Sequence, residues 1–226
     1  IKKNIEKYYQ KKILSLSLDD YYLNKNKRIE LSKKIHYLFK TRGVPGTHDI
    51  KKLKADIHSF DKSKYPINIP IFDKLRDDRS NEYRKEKIKK DILILEGWCC
   101  GCPPIEKKFL DYDINILEKN EDKKKIWRNY FNRKLNNEYK VLFSMFDRII
   151  FLKAPSFKFV LNWRLKQENM MGAKYKNELK MNKKEFLYFI SHYEKITKWM
   201  FIKLPYLANL VVTIDEKQKI TKSRFN

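Results

Sequence analysis

Along the 226-residue chain, short uninterrupted apolar runs alternate with longer stretches in which apolar residues recur every three or four positions. Four runs stand out, Ile13–Leu18, Ile92–Leu95, Ile149–Leu152 and Leu210–Ile214, each bounded by polar or turn residues. Continuous rather than alternating apolarity predicts strands covered on both faces, as in a parallel sheet. Helical spacing links Ile1, Ile5 and Tyr8; Trp127, Tyr130, Phe131 and Leu135; and Phe186, Tyr188, Phe189, Tyr193, Ile196 and Met200. Strands alternating with helices imply right-handed βαβ units, so the expected class is α/β, a parallel sheet with helices on both faces. A chain of this length buries one sizeable core, and a single domain over residues 1–226 is expected. Residues 40–90 break the pattern, because Pro45, Pro66 and Pro70, with Gly43 and Gly46 nearby, predict loops. Long irregular segments within compact domains are usually functional or disordered.

Chemistry collects where the apolar runs stop. Asp19 and Asp20 follow the first run, at the carboxyl end of its strand, where open α/β sheets build ligand crevices. Two carboxylates there could hold a metal through water, accept a proton from a substrate hydroxyl, or simply cap the helix that follows. Glu96 ends the second run in the same way, as a residue that orients magnesium and its waters would. "TRGVPGTHDI" joins Arg42, Gly46, His48 and Asp49; its glycines let backbone N–H groups approach an anion and its Arg offers a fork, yet it also reads as a turn with Asp49 capping a helix. Asp61, Lys62, Asp77, Asp78 and Arg79 add charge to the same region and read equally as solvated loop residues. "FKFVLNWRLKQE" puts Arg164 and Lys166 on a segment that is either a lid closing over phosphates or an ordinary basic amphipathic helix.

Composition changes this picture little. Fifty-two Lys and Arg against 28 Asp and Glu give a net charge of +24, which suits an anionic partner. The lysines are spread rather than blocked, so a solvated compositional excess is the preferred account, and no recognition helix, RNA-binding motif or aromatic platform favours nucleic acid. Cys99, Cys100 and Cys102 form no disulfide framework and lack a fourth zinc ligand nearby. With no signal-peptide pattern and no membrane-length apolar run, a soluble cytoplasmic protein that does not engage membranes is expected.

Taken in order, "LSLDDYYL", "RGVPGTHD", "FDKS", "DDR", "LEGWCCG" and "WRLKQE", spread from about residue 14 to residue 168, resemble the P-loop small-molecule kinases of the D-glycerate 3-kinase type, relatives of uridine kinase and pantothenate kinase. The resemblance implies a P-loop-kinase-like fold, ATP and Mg2+ as cofactors, and phosphoryl transfer to a small hydroxy acid, D-glycerate giving 3-phosphoglycerate. It implies that Asp19 accepts or orients the substrate hydroxyl and that Arg164 reaches the transferred phosphoryl group. Glu96 and Asp20 would serve the magnesium; Tyr22, Arg42, Gly46, His48, Asp49, Asp61, Lys62, Asp78 and Arg79 would shape the acceptor site. One motif of the family is missing. G-x-x-x-x-G-K-[ST], whose backbone amides, Lys and hydroxyl cradle phosphates and metal, occurs nowhere in the sequence, and the first glycine is Gly43. Because "IKKNIEKYYQKK" looks like the tail of the helix that follows this loop, the first strand and the loop are expected to be absent from a chain truncated at its N-terminus. The alternatives are a non-catalytic binding protein on the same fold, whose phosphate loop has decayed, and a basic nucleic-acid binder.

Overall fold

A computed structural model describes residues 2–174 and 182–226 of the chain, so Ile1 of the first helical pattern lies outside the described residues. The chain divides into two compact units, Ile1–Cys100 and Gly101–Asn226.

The first unit runs through α1 (Lys2–Tyr9), β1 (Ile13–Ser17), α2 (Lys25–Lys34), α3 (Ile50–Asp61), β2 (Ile67–Asp73), β3 (Asp78–Glu86) and β4 (Ile92–Glu96), with 3-10 turns at Leu18–Tyr21 and Tyr37–Lys40. β1 and β4 lie parallel and in register from Ile13 opposite Ile92 to Ser17 opposite Glu96. Ile13, Leu14 and Leu16 are all buried. Adjacent residues of a strand point to opposite faces, so Ile13 and Leu14 cover one position on each face, while from Leu14 onward buried Leu alternates with the partly exposed Ser15 and Ser17. Each buried apolar side chain contributes roughly 1.5–3 kcal/mol of burial.

Residues 40–90, expected to be loops, contain a helix and an antiparallel hairpin. α3 forms because Ile50, Leu53 and Ile57 share its buried face and Asp49 Oδ1 accepts the Lys52 N–H at 3.1 Å, capping the first turn. β2 buries Ile67, Ile69 and Phe72, and its register with β3 is interrupted between Pro70 and Phe72, an irregularity that lets a strand tolerate proline. β3, "DRSNEYRKE", has no apolar alternation; pairing with β2 makes it a strand.

The second unit comprises α4 (Lys107–Asp111), α5 (Ile116–Glu121), α6 (Ile126–Lys134), α7 (Lys140–Phe143), β5 (Ile150–Lys153), α8 (Phe157–Lys174), α9 (Lys183–Leu207), β6 (Leu210–Ile214) and β7 (Ile220–Phe225), with a π turn at Leu135–Tyr139 joining α6 to α7. β5 and β6 are parallel, and β7, exposed throughout and invisible to the hydrophobic pattern, adds antiparallel to β6. β5 departs from the expectation of two covered faces. Phe151 is buried, whereas Ile150 and Leu152 are 51% and 57% exposed. α9 begins with a capping box in which Asn182 Oδ1 accepts the Glu185 N–H and Glu185 Oε2 accepts the Asn182 N–H, both at 2.9 Å.

Trp127, Phe131, Leu135, Tyr139 and Leu142 form the apolar centre of this unit. Beside them sits a buried charge cluster. Arg128 donates to Asp122 Oδ2 at 2.9 Å and Asp113 Oδ1 at 2.6 Å, and Lys195 Nζ lies 3.2 Å from Glu118 Oε2. Groups of this kind tolerate burial only when paired. No helix among the described residues is long and apolar enough to cross a membrane.

Candidate active site

The first unit gathers most of the singled-out residues around the carboxyl end of β1. The 3-10 turn Leu18–Tyr21 turns the chain directly after the strand and leaves Asp19 half-buried at its tip. Burial opposes the charge on the Asp19 carboxyl, but the hydrogen bond and positive charge of Lys74, with a further bond from the Tyr22 side chain, outweigh it and hold the group below the usual carboxylate range. The Lys74 Nζ to Asp19 Oδ2 distance is 2.7 Å. Asp20 turns the other way, its Oδ1 3.5 Å from the Phe72 N–H of β2, and burial raises its pKa.

The segment after the second 3-10 turn is braced against this tip. Gly43 and Gly46 adopt φ of 138° and 103°, conformations that side-chain-bearing residues rarely take, and Thr47 Oγ1 accepts the Gly43 N–H at 3.1 Å while donating to Val44 O at 2.8 Å. The loop joins the Asp19 turn through two backbone bonds, Leu23 N–H to Thr47 O at 2.8 Å and Asp49 N–H to Tyr21 O at 2.7 Å. His48 then stacks on Tyr22 with ring centroids 4.4 Å apart, and Phe72 meets Tyr22 edge-on at 5.2 Å. Burial lowers the His48 pKa to about 3, so the imidazole is neutral at physiological pH.

Three arginines lock the surroundings. Arg79 spreads its fork over the Tyr22 carbonyl at 2.8 Å, the Tyr21 carbonyl at 3.3 Å and Asp49 Oδ2 at 3.2 Å. Arg28, only 1% exposed, donates to Leu23 O at 3.2 Å, Lys40 O at 2.7 Å and Asp77 Oδ2 at 2.9 Å. Arg42 pairs with the other oxygen of Asp77, and both guanidiniums lie over the Phe72 ring, at 5.9 Å for Arg28 and 5.5 Å for Arg42. Arg28 and Lys74 were not singled out from sequence. Their partners lie far along the chain, and no local pattern marks them.

Not every expected residue of the first unit joins this group. Asp61 ends α3 and Lys62 caps it, both exposed and roughly 18 Å along the helix from the capping Asp49. Asp78 accepts the Lys25 N–H at 2.7 Å and so satisfies the start of α2. Arg164 lies in α8 of the second unit, where it donates to Gln167 Oε1 at 2.5 Å.

Among the described residues no cluster of three His, Cys, Asp or Glu side chains forms a dedicated metal cage, and the buried Cys99 and Cys102 have no zinc-type surroundings. Magnesium needs none, since it keeps several waters and is held by one or two carboxylates together with substrate phosphates. Asp19 and Glu96 suit that role in chemistry and placement. The parallel register sets Glu96 opposite Ser17, two residues before Asp19. Burial raises the Cys100 thiol pKa, and the charges of Cys99, Glu96 and Asp19 push it further up. No residues of this chain form a nucleotide-phosphate loop of the G-x-x-x-x-G-K-[ST] kind.

No family model matches the chain. Over 192 residues it is 30% identical to "Uncharacterized kinase mug58" of Schizosaccharomyces pombe, covering 80% of this chain and 67% of that protein. It is also 30% identical over 184 residues to "Probable ATP-dependent kinase TDA10" of Saccharomyces cerevisiae, covering 75% of this chain and 61% of that one. Among solved structures, a D-glycerate 3-kinase from Cryptococcus neoformans var. grubii superposes with a TM-score of 0.80 at 25% identity, covering all of this chain and 83% of the other.

Proposed function

Because this chain belongs to the glycerate-kinase-type family of P-loop small-molecule kinases, we propose that it takes part in ATP-dependent phosphoryl transfer to a hydroxyl of a small hydroxy acid, D-glycerate giving 3-phosphoglycerate. The observation that carries the reading is Asp19, an ionised carboxylate fixed at the tip of a buried strand with Glu96 on the neighbouring strand end.

Asp19 accepts a hydrogen bond from the acceptor hydroxyl and aims its oxygen. Its depressed pKa makes it a weak base, suited to orienting the hydroxyl and taking its proton late, as the new O–P bond forms and the bond to the departing ADP breaks. Tyr22, bonded to Asp19 and stacked on the neutral ring of His48, holds the carboxylate in one orientation. Arg42, Gly46, Asp49 and Arg79 frame the acceptor side, largely by fixing the backbone around the Asp19 turn. Glu96 would orient the waters of a magnesium ion; for Asp20, directed at the Phe72 N–H, a part in that shell rests on the family resemblance alone. Bound Mg-ATP supplies the phosphoryl group and offsets part of its charge. For Arg164 a charge-neutralising role rests on the resemblance of "WRLKQE" alone.

The test is ADP release by the native gene product given Mg-ATP and, in turn, D-glycerate, pantothenate and uridine. Release with glycerate is expected, with Asp19→Asn lowering turnover by orders of magnitude at little cost to ATP affinity, and Glu96→Gln weakening the magnesium dependence. Equal loss of ATP binding in the Asp19 variant would move that residue to the metal. Silence with all three in a gene product that carries the phosphate loop would reopen the substrate, and silence in one that lacks it would favour the non-catalytic binding protein.

A further inference from the structure

We propose that Lys74 is a specificity-determining residue of the acceptor site, taking the anionic group of the acceptor while Asp19 takes its hydroxyl; this rests on the kinase reading above. Lys74 opens the four-residue turn between β2 and β3, and its ammonium lies 2.7 Å from Asp19 Oδ2. Any acceptor whose hydroxyl reaches Asp19 therefore meets this cation at once.

The turn that presents it is built to keep its place. Asp73 Oδ1 accepts the N–H groups of Leu75 at 2.9 Å and Arg76 at 3.1 Å, tying down the backbone on one side of the turn. On the other side, Asp77 takes a left-handed φ of 51° and is gripped by the buried Arg28, which also holds Leu23 O and Lys40 O. One side chain thus joins the hairpin tip to the segments flanking the Asp19 turn and the glycine loop. The backbone under Lys74 is fixed, whereas its side chain is 53% exposed on a flexible four-carbon stem.

The neighbouring cations have other partners, and Arg79, Arg28 and Arg42 are also more enclosed than Lys74. Arg79 is directed at two carbonyls and Asp49, Arg28 and Arg42 at Asp77, and Arg84 Nη2 at Ser15 O at 2.7 Å. An ammonium pairs with carboxylate or phosphate as a compact point charge and changes partners without rebuilding a fork. Lys74 is thus placed to leave Asp19 for an acceptor carboxylate, which frees the oxygen that must receive the hydroxyl.

The experiment measures ADP release by the native gene product and its Lys74→Met and Lys74→Arg variants, with D-glycerate and with uncharged glycerol as acceptors. Lys74→Met should raise the KM for glycerate at least tenfold relative to that for glycerol, while whatever loss of the cation does to Asp19 should change kcat by the same factor with both acceptors; Lys74→Arg should recover most of the glycerate KM. A merely structural Lys74, needed to hold Asp19, would instead lower kcat with both acceptors and leave the ratio of their KM values unchanged, and that result overturns the proposal. An unchanged glycerate KM in Lys74→Met, with an active wild type, removes the proposal and leaves the kinase reading standing. A wild type that turns over neutral acceptors but no acids removes the proposal and the hydroxy-acid acceptor with it, and leaves only ATP-dependent phosphoryl transfer standing. A wild type that turns over nothing removes both.

Discussion

Replacing Lys195 by Met tests how the second unit keeps a charge cluster in its interior. Lys195 Nζ is buried, 3.2 Å from Glu118 Oε2, and donates to the carbonyls of Phe109 at 3.0 Å and Tyr112 at 2.6 Å. Met is apolar and adaptable enough to fill most of the space. What it leaves behind is a buried carboxylate whose Oε1 already has no hydrogen-bond partner and whose other nearby cation, Arg128 Nη1, is 3.8 Å from Oε2. Removing one member of a buried pair costs about 3–5 kcal/mol because the other is left uncompensated. We expect a loss of about 4 kcal/mol at pH 7, or a fall in Tm of roughly 8–16 °C for a chain of this size.

The sign of the pH dependence follows from Glu118. Burial already holds its pKa above the usual glutamate value against the pull of Lys195, and losing Lys195 raises it further. The folded variant then keeps a proton that the unfolded chain releases, so the penalty is absent below the unfolded glutamate pKa and grows as pH rises through the raised one. Denaturant unfolding of Lys195→Met at pH 5 and pH 7 should show the smaller loss at pH 5, and Glu118→Gln in the same chain should restore more than half of it. A loss below about 1 kcal/mol at pH 7, or a double variant no more stable than the single one, would refute the reasoning.

Two further outcomes concern the first unit. A Cβ added at Gly97 would come within 2.6 Å of Leu18 Cβ and 3.2 Å of Cys100 Sγ, so Gly97→Ala should cost about 1–3 kcal/mol in denaturant unfolding and disturb the turn that carries Asp19; wild-type stability would sink this account. His48, with its pKa lowered to about 3, refuses a proton that the unfolded chain accepts below its ordinary value of 6.5, so stability should fall by about 1.4 kcal/mol per pH unit on its account as pH drops through that window. His192, lowered by burial to about 4, acts in the same direction, and His48→Gln should therefore flatten part of the acid slope, an unchanged slope counting against it.

What could be seen in the sequence and what could not divide along a physical line. β1 and β6 were legible because their buried apolar residues sit in short runs free of charge, and Asp19, Asp20 and Glu96 because charges at the end of such runs stand out. β3 and β7 were not, since polar segments become strands only when a neighbour offers its edge. β5 shows the limit of the rule, for its apolar run is half exposed.

The sequence by itself determined the alternation of strands and helices, the family resemblance carried by its ordered motifs, and the carboxylates at the strand tips, all of which are local patterns of side-chain type. Only the tertiary structure decided which cation meets which carboxylate. Lys74 is 55 residues from Asp19, and Arg28 is 49 residues from Asp77. Such pairs follow from strand register and loop closure, and one-dimensional periodicity carries no record of either.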